Sequence, residues 1–178
     1  MIFAMAGIVF AASPFPDTAG AANEAVIARL KALGIVKGDD LGNFNPNNPI
    51  NRAEFTTMIV RMLGLEAAAG VVNIPTKFPD VTENFSWAYG YINVATNRNL
   101  IKGYEDGTFR PGNNVTQAEA ITILLRAAGY SDNLPGDWPI DYMMQAATLG
   151  VIGTGFSANT AATRALIATL VNNTLDVP

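Results

Sequence analysis

The chain has no cysteine and no histidine among its 178 residues. The first absence excludes a disulfide framework, a thiolate metal site and a cysteine nucleophile. The second excludes every histidine-based catalytic triad. Basic residues are also scarce, with 11 Lys and Arg against 15 Asp and Glu and a formal net charge of −4. Nucleic acid binding needs clustered cations, so that partner class is excluded too, and any anionic partner must be met by individually placed cations. Only 15% of residues are charged while 49% are hydrophobic, enough for one compact domain with its own core.

The first dozen residues, MIFAMAGIVFAA, are an apolar run too short to span a bilayer, followed by Ser13-Pro14. Residues 1–12 read as the apolar part of a secretory signal, with Val9-Phe10-Ala11 as one cleavage site. The basic segment that normally leads a signal is absent from the run. The alternative is a retained apolar segment that docks into a neighbouring copy. Either reading puts the chain outside the membrane, with no membrane insertion of the mature chain.

What is present is repetition. Gly34-Ile35-Val36-Lys37-Gly38 aligns with Asn99-Leu100-Ile101-Lys102-Gly103 and with Gly150-Val151-Ile152-Gly153-Thr154. The same registers bring Trp87 over Trp138, Phe44-Asn45-Pro46 over Phe109-Arg110-Pro111, and Ile50-Asn51-Arg52-Ala53-Glu54 over Val115-Thr116-Gln117-Ala118-Glu119. In the third copy that last place holds Ala162-Thr163-Arg164-Ala165-Leu166. Phe15-Pro16-Asp17 and Phe78-Pro79-Asp80 open the first two copies, and nothing similar opens the third. The expected units are 13–66, 75–130 and a degenerate 131–177.

Each unit reads as helix, polar loop, helix. Phe55, Met58, Ile59, Met62 and Leu63 follow the i, i+3, i+4, i+7, i+8 spacing of a helix with one buried face. The first helices carry Val26, Ile27, Leu30 and Leu33, then Trp87, Tyr91, Val94 and Ala95. Gly-, Asn-, Asp- and Pro-rich loops separate the two helices of a unit. One helix pair cannot bury its stripe alone, so the units either close around a common axis or stack openly.

Several side chains have competing readings. Thr116 and Glu119, and less perfectly Asn51 and Glu54, have capping-box spacing, which gives those carboxylates a structural role rather than a ligand role. Arg52 and Arg164 fall at a first helical turn, where the macrodipole disfavours a cation by roughly 0.3–1 kcal/mol. That recurrence suggests a partner, because a guanidinium beside free helix-start amides suits a carboxylate. The competing reading is a salt bridge to Asp17 or Asp80. Trp87 and Trp138 are either core or a stacking platform, and Lys37 and Lys102 either solvated or in reach of an anion. Asp39-Asp40 and Glu105-Asp106 lack the ligand spacing of a calcium loop, so no metal is expected. The recurrent carboxylates already have other roles, which argues against glycoside hydrolysis. No cofactor is expected.

The ordered series FPD, GIVKG, G-x-F-x-P and INRAEF resembles the surface-layer homology (SLH) domain, the wall-anchoring region of bacterial S-layer proteins. The likeness covers roughly residues 13 to 177 as three tandem repeats. It implies a mainly α fold, a pseudo-three-fold, three-pronged spindle around a central helical bundle. It also implies binding of an acidic secondary cell-wall polysaccharide, often bearing pyruvate-ketal N-acetylmannosamine, in grooves between repeats. Carried over by motif, Arg52 and Arg164 would meet the acidic sugar. Asp17, Asp80, Trp87, Trp138, Gly38 and Gly103 would line the grooves. Gln117 in place of the arginine, Ala22 in place of tryptophan and Thr154 in place of glycine imply unequal grooves. The function expected is non-catalytic anchoring of a secreted protein at the cell wall or surface. The alternative is a self-assembling structural subunit of a surface layer using residues 1–12 and the repeat faces.

Overall fold

A computed structural model of the chain describes residues 13–130 and 132–177. The leader-like segment 1–12 lies outside the described residues. The fold is mainly helical, and the only β-pairing among the described residues is three isolated bridges. The helices are α1 (Glu24–Ala32), α2 (Arg52–Met62), α3 (Glu66–Gly70), α4 (Tyr89–Asn97), α5 (Gln117–Ala127), α6 (Ile140–Thr148) and α7 (Arg164–Leu175). Pairs α1/α2, α4/α5 and α6/α7 are the expected helices of three units. Helix α3 was not expected. It arises where the linker reads Glu66-Ala67-Ala68-Ala69, a run of strong helix formers.

The units close on one another. Each first helix packs on the second helix of the preceding unit: α4 on α2, α6 on α5, and α1 on α7. The last pairing joins the two ends of the described chain, and Arg29 on α1 seals it by bonding Asn172 and Asp176. At the starts of α2, α5 and α7 the backbone forms a cycle. Ile50 N donates to Ala162 O (3.1 Å), Ala162 N to Val115 O (2.8 Å) and Val115 N to Ile50 O (3.0 Å). An open stack has no such return contact, so the arrangement is closed.

The same ring accounts for the helix-start amides. The first two helical amides of α2 donate to Asn113 O and Pro111 O, those of α5 to Thr160 O and Ala158 O, and those of α7 to Asn48 O and Pro46 O. The next amide in each helix is taken by the side chain of Asn51, Thr116 or Thr163. The helix starts therefore have no free amides for an anion, which corrects the expectation placed on them. Those donors are already satisfied by a neighbouring loop, as buried helix ends require.

Second helices lie at the centre. The expected stripe of α2 is buried or half-buried, but so are Thr56, Thr57 and Val60 on its other sides. With neighbours on most sides, α2 keeps little solvent face. The buried threonines bond the carbonyl one turn back, Thr56 to Arg52 O and Thr57 to Ala53 O, so no hydroxyl is left unpaired. In α1 and α4 the core positions are Ile27, Leu30, Ile92 and Ala95, while Leu33 is exposed.

The FPD motif has a physical explanation. Phe15 packs on Phe44 with centroids 5.5 Å apart, and Phe78 on Phe109 at 5.3 Å, all four fully or nearly fully buried. The following aspartates grip the loop. Asp17 accepts from Phe44 N and Asn45 N, and Asp80 from Phe109 N and Arg110 N. Asn45 and Arg110 have positive φ, and the carboxylate forks hold that unusual turn in place. A Cβ on Gly38 would lie 2.7 Å from Phe15, and one on Gly103 only 2.3 Å from Phe78. The third unit has no such phenylalanine. Thr154 is tolerated there because nothing of that kind presses on it.

Candidate functional site

Two hollows lie where units meet. The first, about 820 Å³, is lined by Lys37, Gly38, Glu54, Arg61, Trp87 and Arg164, among others. Three units contribute: the loop and α2 of the first, Trp87 of the second and Arg164 of the third. The second, about 740 Å³, is lined by Gly103, Tyr104, Glu119, Arg110, Arg126 and Trp138, among others. Its parts correspond by register to those of the first. Arg61 matches Arg126, Glu54 matches Glu119, and Trp87 matches Trp138.

The arginines expected to carry the chemistry differ. Arg164 is held by its Nε, which donates to Phe44 O at 2.7 Å, with the guanidinium over the Phe44 ring. Its Nη1 lies 3.8 Å from Glu54. The side chain reaches the first hollow. Arg52 is buried. Its Nη2 donates to Lys102 O at 2.7 Å, its Nη1 sits 3.7 Å from Glu119, and its Nε has no partner. It does not line the second hollow. Neither arginine bridges Asp17 or Asp80, because those carboxylates are taken by the loop amides.

The remaining expected residues fall into three groups. Trp87 and Trp138 line their hollows with half their surface exposed, which settles against a core role. Both precede the helices on which they were expected, Trp87 in the short 3-10 segment Glu83–Ala88 and Trp138 just ahead of α6. Trp138 Nε1 donates to Thr122 Oγ1 at 2.9 Å, fixing its ring. Gly38 and Gly103 line the hollows, whereas Asp17 and Asp80 lie behind them and hold the loops. Gln117 Oε1 accepts from Ser157 N at 2.9 Å, away from both hollows. Capping boxes form at Asn51/Glu54 and Thr116/Glu119, and Thr163 caps α7 alone.

Lys37 and Lys102 are solvated, as one reading expected, but neither is free of a partner. Lys37 bonds Glu66 at 3.0 Å, and the same carboxylate oxygen takes Arg61 Nε and Tyr91 OH, both at 2.9 Å. Lys102 bonds Asp132, which also accepts from Arg126 and Tyr142. The same four-part clamp thus joins turn, second helix, linker and next first helix at two junctions. Spacing placed Tyr91 on a first helix without this role, and Arg61, Arg126 and Tyr142 were not expected at all. The repeat registers did contain them, since the arginines follow the second-helix alignment and the tyrosines follow the tryptophans.

Hydrogen bonds from Lys37, Arg61 and Tyr91 outweigh partial burial and lower the Glu66 carboxyl to about 2. A carboxyl lowered on folding adds stability above its ordinary value and loses it as pH falls toward the folded one. The clamp's contribution is therefore present above about pH 4.5 and lost between there and about pH 2. Glu66 is partly exposed, so the effect is about 1 kcal/mol or less. Urea melts of the parent and Glu66→Gln should differ at pH 7 and converge by pH 2.

The family profile of the S-layer homology domain matches residues 14–56 and 77–121. The chain belongs to the S-layer homology domain family. Relatives of the same character extend beyond those segments. The "Middle cell wall protein" of Brevibacillus brevis is 38% identical over 154 residues, covering 86% of this chain and 14% of that protein. The "Cell surface protein" of Thermoanaerobacter kivui is 35% identical over 182 residues, covering all of this chain and 23% of its own length. The "Cellulosome-anchoring protein" of Acetivibrio thermocellus is 36% identical over 88 residues, or 49% of this chain and 20% of that protein. This S-layer homology chain spans less than a quarter of each. The family and these relatives locate it at the cell wall or cell surface. Both matched segments contain an FPD motif, its partner phenylalanine and a capping box. The clamps and the tryptophan of the second groove draw on residues outside them.

Proposed function

We propose that the chain is a non-catalytic module that anchors a surface protein to the cell wall by binding an acidic secondary wall polysaccharide. The units are 13–66, 75–130 and a degenerate 131–177. The first hollow supports this reading most directly. It sets a partly accessible guanidinium, Arg164, across a cleft from an exposed tryptophan, Trp87. A planar cation suits a carboxylate, and an indole face suits the apolar face of a sugar. A pyruvate-ketal N-acetylmannosamine, which the family resemblance implies, carries both features on one residue.

Catalysis has no support from the same geometry. Glu54 and Glu119 are capping carboxylates, each with its Oε2 held by a backbone amide, and the Oε1 of Glu119 accepts from the Tyr104 hydroxyl. The cellulosome-anchoring relative is consistent with an anchor that serves a larger protein.

The test is a pull-down with purified cell wall, before and after removal of its non-peptidoglycan polymer. Retention by intact wall and release after the polymer is stripped is the expected result. Equal retention by bare peptidoglycan would contradict the anchor in this form.

A further inference from the structure

The two hollows differ at the residue after the turn glycine. In the first it is Asp39, whose carboxylate points into its own loop and accepts from Leu41 N, Asn43 N and Asn45 Nδ2. In the second it is Tyr104. Its ring lies 4.9 Å from the Arg52 guanidinium and 3.9 Å from that of Arg110, and its hydroxyl donates to Glu119. The aromatic ring is thus packed between two cations and latched at its tip. Behind it, Arg52 is buried with its Nε unpartnered, while Arg164 in the corresponding place reaches its hollow.

We infer that Tyr104 is a specificity-determining residue that shuts the arginine of the second groove away from anionic sugar, so that the acidic glycan is taken in the first groove alone. The inference rests on the anchoring reading for the nature of the ligand, but it makes its own claim about which groove is closed and why. Charge points the same way. Three acids line each hollow, but three cations, Lys37, Arg61 and Arg164, face them in the first and only two, Arg110 and Arg126, both ion-paired, in the second. A carboxylate entering there would meet acids before it met an available guanidinium. Displacing Tyr104 costs two ring–cation contacts and a charge-assisted hydrogen bond together. Tyrosine here trades a second binding site for a well-packed unit interface.

The experiment is calorimetric titration with the methyl glycoside of pyruvate-ketal N-acetylmannosamine, using the whole chain. The parent should bind one equivalent. Tyr104→Ala should bind two, the added site within about tenfold of the first in affinity, whereas Tyr104→Phe, which keeps the ring, should still bind one. Unchanged affinity at the first groove shows that Tyr104→Ala remains folded. Two equivalents on the parent, or one on both the parent and Tyr104→Ala, would overturn the inference. If the parent binds none and Tyr104→Ala binds one, the closed groove stands and the first-groove reading falls. If neither binds, both fall.

Discussion

Arg164→Ala is expected to weaken binding of pyruvate-ketal N-acetylmannosamine by about 10- to 100-fold, the factor that matches one charge-assisted hydrogen bond. The side chain enters the first groove from the third unit, far in sequence from the loop it serves. Its Nε is fixed by Phe44 O, which leaves the outer edge of the guanidinium oriented before any ligand arrives. That pre-set orientation is what alanine removes. Fold stability should fall by only about 1–2 kcal/mol, because alanine removes the bond to Phe44 O and the contact over its ring, while the Glu54 pair is long at 3.8 Å and Glu54 keeps its bond to Asn51 N. Arg164→Lys should recover only part of the loss, because an ammonium cannot present a planar fork. Calorimetric titration alongside thermal melts separates the two effects: affinity should fall while the chain still melts cooperatively, only a few degrees lower.

Gly90→Ala should destabilise the chain by about 3 kcal/mol, a drop in melting temperature of roughly 10 °C for a domain of this size. Gly90 lies in the first turn of α4, where alanine would ordinarily gain about 0.5–1 kcal/mol. Packing reverses the sign. A Cβ there would lie 2.0 Å from Ala69 O and 2.8 Å from Val72 O. Both obstacles are backbone, so no rotamer change relieves them. Helix α3 would have to lift from α4, and with it the linker carrying Glu66. Thermal melts decide the matter, and a melting temperature equal to or above the parent's would refute the close crossing.

Much of the fold was legible because the repeats state it three times. Second helices recur in matching register in all three units, capping boxes and turn glycines in the first two, and each is a local signal. What stayed hidden depended on contacts between units. Asp17 and Asp80 were read as groove-lining, yet they fork onto amides some thirty residues away. The helix-start amides looked free because their acceptors, Asn113, Thr160 and Asn48, belong to other units. Arg52 and Arg164 carry the same motif, and no sequence spacing tells that Tyr104 covers one while Asp39 leaves the other open. Trp87 looked helical by spacing from Tyr91, but the chain enters α4 only at Tyr89, which turns the indole outward. The periodicity of α2 gave one face of a helix that has four neighbours' worth of burial around it, because burial on the remaining sides comes from chain segments that periodicity does not see.

The chain has two tryptophans, one at each groove, and their indole N–H signals distinguish the grooves without any substitution. Titrating the ¹⁵N-labelled chain with pyruvate-ketal N-acetylmannosamine should move the Trp87 indole resonance saturably, together with the Arg164 Nε–H, and leave Trp138 in place. A ligand that leaves Trp87 and Arg164 unmoved at saturation would contradict the claim that the first groove holds the wall glycan.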